Sequence, residues 1–112
     1  MAVVSKREIE RHKQRLTVRF GLDDANRVAF TEDISLTGMF IKTPNVCSPN
    51  SKILVEFEVD NCKIELVARV MWAKKVPQNL FHLVKKSGMG IRFLRFTAGE
   101  AQFITYLENK PT

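Results

Sequence analysis

The chain is poor in the side chains that bind metals or staple small folds. It has two cysteines, Cys47 and Cys62, and two histidines, His12 and His82. Neither pair has the short spacing of a zinc site, which leaves packing and surface as their expected roles. A secreted disulfide scaffold needs more cysteines, so the thiols fit a reducing compartment. No apolar run approaches the ~20 residues that span a membrane. The leading residues, MAVVSKREIERHK, are charged almost from the start and carry no apolar core of a signal peptide. Together these absences predict a cytoplasmic protein without membrane insertion. Catalytic signatures are missing as well: there is no G-x-S-x-G elbow, no H-E-x-x-H and no Walker phosphate loop. Nothing argues for an enzyme, a bound metal or a cofactor.

What the chain does contain is enough apolar material for a core. Of its 112 residues, 45% are hydrophobic and 27% charged, the balance of one globular domain rather than of a disordered chain. It is too short for a fold such as the TIM barrel. Lys and Arg number 18 against 12 Asp and Glu, a net charge of +6. The excess is concentrated. Residues 1–20 hold Lys6, Arg7, Arg11, Lys13, Arg15 and Arg19 against Glu8 and Glu10, a net +4, leaving +2 for the other 92 residues. A basic arm on a nearly balanced body suggests an anionic partner, with a solvated tail as the bland alternative.

After this arm, residues 1–15, the pattern is that of short strands. LTVRF (16–20) alternates apolar and polar, and GLDDAN is a turn. RVAFTEDI (27–34) is a second strand, in which Val28, Phe30, Glu32 and Ile34 share one alternation class. GMFIKT (38–43) is a third. ILVEFEV (53–59) points Ile53, Val55, Phe57 and Val59 one way, and Asp60-Asn61 is a hairpin dipeptide. IELVARVMWA (64–73) puts Ile64, Leu66, Ala68, Val70 and Trp72 on one face, so Trp72 is expected in the core. MGIRFLRF (89–96) is the last strand. Thr97 to Glu100 reads as a capping box opening a helix over 97–109, with Phe103, Ile104 and Leu107 as its apolar stripe. Six strands and one terminal helix predict an all-β fold closed into a small antiparallel barrel over residues 16–112. The connection 76–88 carries Leu80, Phe81, Leu83 and Val84, expected to fold back as a satellite core, with a partner-facing patch as the alternative.

Two short patterns carry chemistry. Arg11-His12-Lys13-Gln14-Arg15 is an R-x-x-x-R segment just before a strand, and DISLTG (33–38) is a D-x-S-x-x-G segment between two strands. Alone, each is weak: four-residue spacing is also helical spacing, and DISLTG is also a polar turn with Gly38 at positive φ. In this order on this strand pattern, the sequence resembles the PilZ domain family of bacterial receptors for cyclic di-GMP. The resemblance covers roughly residues 7–109 and includes the ARVMW, GMGIRF and terminal-helix segments. It implies a six-stranded antiparallel split barrel with a C-terminal helix. It also implies a ligand site made of Arg11, Arg15, Asp33, Ser35 and Gly38.

The chemistry fits that implication. Cyclic di-GMP is a dianion with two guanines. Arginine pairs bidentately with phosphate or with guanine O6/N7, and its plane stacks on a base. The Asp33 carboxylate can accept from guanine N1–H and N2–H₂, Ser35 adds a hydroxyl, and Gly38 lets backbone approach a purine. The resemblance leaves the stoichiometry open between one bound molecule and a stacked pair, with Glu10, where many members carry a basic residue, favouring one. The expected function is that of a signalling receptor whose arm orders around the ligand and changes a surface met by a downstream protein. A different class of reading is a basic barrel binding nucleic acid non-specifically, but such modules interleave exposed aromatics with cations, and here the aromatics sit mostly at inward positions.

Overall fold

A computed structural model describes residues 11–75 and 87–109. Its strands are β1 (His12–Gly21), β2 (Arg27–Ile34), β3 (Gly38–Lys42), β4 (Lys52–Val59), β5 (Cys62–Lys74) and β6 (Gly88–Ala98). Helix α1 (Glu100–Glu108) follows. Neighbours pair antiparallel in the order β1-β2-β3-β6-β5-β4, and β4 pairs back onto β1, closing the barrel.

Strict alternation builds the most regular part. Ile53, Val55, Phe57 and Val59 of β4 point into the core, and Ala68, Leu66 and Ile64 of β5 stand opposite the first three. Asp60 and Asn61 join the two strands with φ of 48° and 63°, the positive values that match a tight turn to the twist of its strands. Val18, Phe20, Ile34, Met39, Ile41, Val70 and Met89 complete a core in which each is almost fully buried. The end of the barrel is covered by α1. Its Phe103 is fully buried against Phe57 of β4 and Phe93 and Phe96 of β6, with ring centroids 5.5–5.8 Å apart.

Four expectations from local pattern are corrected. First, β1 starts at His12, not Leu16, because His12 and Lys13 pair with Ile34 and Asp33; Arg15 therefore lies in a strand and not in a preceding arm. Second, β2 buries Ala29 and Thr31 and exposes Val28 and Phe30, the reverse of the expected face over that stretch. A register shift against β3 between Thr31 and Asp33 then restores Ile34 to the core. Third, the capping box does not form. Thr97 belongs to β6, which pairs through Ala98, and the helix starts from Gly99 at φ 80° with no side-chain cap. The buried helical stripe is Phe103, Tyr106 and Leu107, while Ile104 is exposed. Fourth, Trp72 is half exposed and not in the core. Leu80, Phe81, Leu83 and Val84 lie outside the described residues.

Candidate functional site

β1 pairs with β4 only over Val18–Gly21, so its first half runs past the closed part of the barrel while still following β2. This overhang lays the R-x-x-x-R segment beside the end of β2, where the D-x-S-x-x-G turn begins. The Arg11 Nε donates to both carboxylate oxygens of Asp33, at 2.8 and 2.9 Å. The two side chains are 50% and 40% exposed, and an ion pair so hydrated contributes ~1 kcal/mol or less. It holds both groups in place without locking them together.

Arg15 is aimed by a bulge. Pairing steps from Lys13↔Asp33 to Leu16↔Thr31, so β1 carries one extra residue opposite Glu32. Bulges bend a strand and turn a side chain away from its regular direction. The Arg15 guanidinium lies 4.4 Å from the centre of the Phe30 ring and 4.0 Å from Glu32 Oε1. The ring face attracts the cation. Glu32 is held more closely by Lys42, whose Nζ donates at 3.1 Å. Arg11 immediately before β1, Arg15 of β1, Asp33 of β2 and Phe40 of β3 line one open cleft of about 560 Å³, together with Lys13, Gln14 and Glu32.

Ser35 and Gly38 lie elsewhere. Ser35 is fully buried, and its Oγ accepts from the N–H groups of Thr37 and Gly38, both at 3.3 Å, while donating to the Gly38 carbonyl at 3.2 Å. Its hydroxyl is engaged inside its own turn. Gly38 does not have positive φ. A Cβ there would fall 2.3 Å from the Ile91 carbonyl oxygen, so the glycine permits close approach of β3 to β6. The structure thus brings Arg11, Arg15 and Asp33 to one cleft and leaves Ser35 and Gly38 to shape the turn that follows Asp33.

The model of the PilZ domain family matches residues 5–109, nearly the whole chain. This chain belongs to the PilZ domain family. A comparison with curated proteins finds no match. Among solved structures it is similar to the Bacillus subtilis inhibitor of motility, MotI/DgrA, with a TM-score of 0.65 and 16% identity. That alignment covers 96% of this chain but 54% of the other, so the chain spans about half that protein's length. It is also similar to the PilZ domain of CeSA from a cellulose-synthesizing bacterium, with a TM-score of 0.60, 19% identity and coverage of 88% and 96%. PilZ domains are regulatory binding domains of a family of cyclic di-GMP receptors and adaptors, not catalysts. Among the described residues no group of three metal-ligating side chains converges, and no helix is long and apolar enough to cross a membrane.

This PilZ domain also has site residues that its linear pattern hides. Phe40 stacks on Trp72 of β5 with ring centroids 5.5 Å apart and planes 26° apart. The register against β6 shifts between Val70 and Trp72, which leaves Met71 as the extra residue and turns Trp72 outward, opposite Gly90. A Cβ on Gly90 would lie 2.3 Å from the indole nitrogen, and one on Gly88 would lie 2.2 Å from the Phe40 ring. The glycines of GMG around buried Met89 were the available signal: small residues on an outer face leave room for rings laid across it. Glu32 and Phe40 had no such signal for entering the cleft, since bulges and neighbouring strands put them there.

Proposed function

We propose that this PilZ domain is a cytoplasmic receptor for cyclic di-GMP that passes its signal to a downstream protein. The observation that carries the reading is the meeting of Arg11 and Asp33, 22 residues apart in sequence, at 2.8 Å on the wall of a cleft that Arg15 also lines. Those residues are the donors and the acceptor that a dianion with guanine bases requires. Arg11 and Arg15 take the phosphates or guanine O6/N7, and the Asp33 carboxylate accepts from guanine N1–H and N2–H₂. Ser35 and Gly38 act by shaping the turn behind Asp33. The free thiols of Cys47 and Cys62 support a reducing compartment.

Ligand binding orders the basic segment that leads into β1, and the altered surface is read by another protein. PilZ domains are regulatory binding domains, and this one's likeness to a protein named as an inhibitor of motility supports an adaptor's role. Titration calorimetry tests ligand binding: saturable heat is expected with micromolar cyclic di-GMP. Arg15→Ala should weaken binding by about tenfold to a hundredfold, the loss of one charge-assisted hydrogen bond. Absence of heat from a folded sample rejects the receptor reading. Binding that collapses with salt and extends equally to oligonucleotides supports a basic nucleic-acid surface instead.

A further inference from the structure

The outer face of β4, β5 and β6 carries a row of like charges. Lys52 stands directly opposite Arg69, and Arg69 directly opposite Arg92, which in turn faces Gly38 of the D-x-S-x-x-G turn. With strands about 4.8 Å apart, the three Cα positions lie side by side over about 10 Å. Their chain neighbours Ile53, Ala68, Val70 and Ile91 are buried in the core, so the three cations point away from it. Arg95, opposite Val67, adds a fourth cation nearby. Like charges placed directly across strands destabilise a sheet. Arg11, Lys42 and Lys63 each reach a carboxylate, whereas Lys52, Arg69, Arg92 and Arg95 reach none among the described residues. The Nε of Arg69 is buried with no hydrogen-bond acceptor. A buried donor left without an acceptor carries an uncompensated desolvation cost, which adds to the strain of the row.

Apolar side chains bracket the row. Leu54, Met71 and Leu94 are 37%, 49% and 43% exposed. Met71 and Leu94 are the extra residues at two of the three β5–β6 register shifts, the nearest on either side of Arg69. We propose that this face docks an acidic amphipathic segment of a partner protein. Its carboxylates pair with Lys52, Arg69 and Arg92 while its aliphatic side chains cover Leu54, Met71 and Leu94. Charge selects this occupant. The segment 76–86 of the same chain, VPQNLFHLVKK, contains no carboxylate and cannot satisfy the row. A nucleic-acid strand would meet the cations but leave the three aliphatic side chains against a hydrated backbone. The barrel is closed, so the partner engages side chains and adds no strand. Phe40 and Trp72 join this face to the cleft, and the docking proposal stands independently of what the cleft binds.

Trp72 is the only tryptophan and reports directly on the neighbourhood of Met71 and Arg69. The full chain is titrated with a synthetic helical peptide carrying Glu and Leu at i, i+3 and i+4 spacing, and read by Trp72 emission and by calorimetry. Saturable binding with a blue shift is expected. Arg92→Glu and Lys52→Glu, both at exposed positions and checked for folding by circular dichroism, should each weaken it by about tenfold or more. A peptide with Gln in place of Glu should lose binding to the same degree. The proposal is overturned if the Gln peptide binds as well as the Glu peptide, if neither charge reversal matters, or if no peptide binds. Tighter binding of a single-stranded oligonucleotide would reassign the face to nucleic acid. Self-association through it in sedimentation, abolished by Arg92→Glu, would reassign it to a second copy of the chain.

Discussion

Asp33 is placed by two neighbours in sequence and used by one far away. β2 delivers it to the cleft, the Ser35 turn fixes the chain just beyond it, and Arg11 arrives from just before the overhanging start of β1. The residue types made Arg11, Arg15 and Asp33 legible as candidates, because few side chains can serve phosphate or guanine. Their distances were not legible, because a bulge in β1 sets them. Glu32 makes the point most clearly. It lines the same cleft, 48% exposed, and adds negative charge where a dianion would sit. Glu32→Gln should therefore tighten cyclic di-GMP binding by about twofold to fivefold, the scale of one exposed charge interaction, as read by calorimetry. Gly38→Ala tests the opposite assignment of a motif residue. A Cβ 2.3 Å from the Ile91 carbonyl oxygen has backbone as its obstacle, so stability should fall by about 1–3 kcal/mol in a denaturant titration. Should ligand binding vanish with stability unchanged, Gly38 would instead belong to the ligand contact.

At the scale of elements, regular strands were readable and bulged strands were not. β4 keeps a strict period of two, and its four inward residues follow from its sequence alone. β2 and β5 each contain an apolar alternation that a register shift interrupts, which is why Val28 and Phe30 face solvent and Trp72 leaves the core. The helix start failed for a related reason. Thr97 and Glu100 satisfy the local rule for a capping box, but pairing of Ala98 with Glu65 keeps Thr97 extended. The outer row Lys52–Arg69–Arg92 likewise exists only after β4, β5 and β6 are registered. Relieving it has a measurable consequence in the protein alone. Arg92→Thr removes a like charge from directly opposite Arg69 and introduces a β-branched side chain, so stability should rise by about 0.2–1 kcal/mol. A lower melting temperature would show that the row is not repulsive in the free protein.

The whole molecule depends on closure at two places. β1 meets β4 over only Val18–Gly21, and α1 covers the barrel end through Phe103. Phe103 is fully buried among three other rings, so Phe103→Ala should cost about 3–5 kcal/mol, measured by chemical denaturation. Phe103 does not line the cleft, so the folded fraction should keep its ligand affinity. The net charge of +6 also changes meaning at this scale. The structure gives that charge two places: Arg11, Lys13 and Arg15 line the cleft at the start of β1, and Lys52, Arg69 and Arg92 form the row across β4, β5 and β6.

Local physics was sufficient for the strand count, the antiparallel barrel with its terminal helix, the Asp60-Asn61 hairpin and most inward residues. Alternation, turn chemistry and side-chain type are properties of short segments, and so the sequence by itself determined them. Tertiary structure decided which charges and rings meet. The Arg11–Asp33 pair, the Phe40–Trp72 stack and the cation row all depend on registers and bulges between strands distant in the chain. Register is settled jointly by two strands packing into one core, and no single strand carries that information.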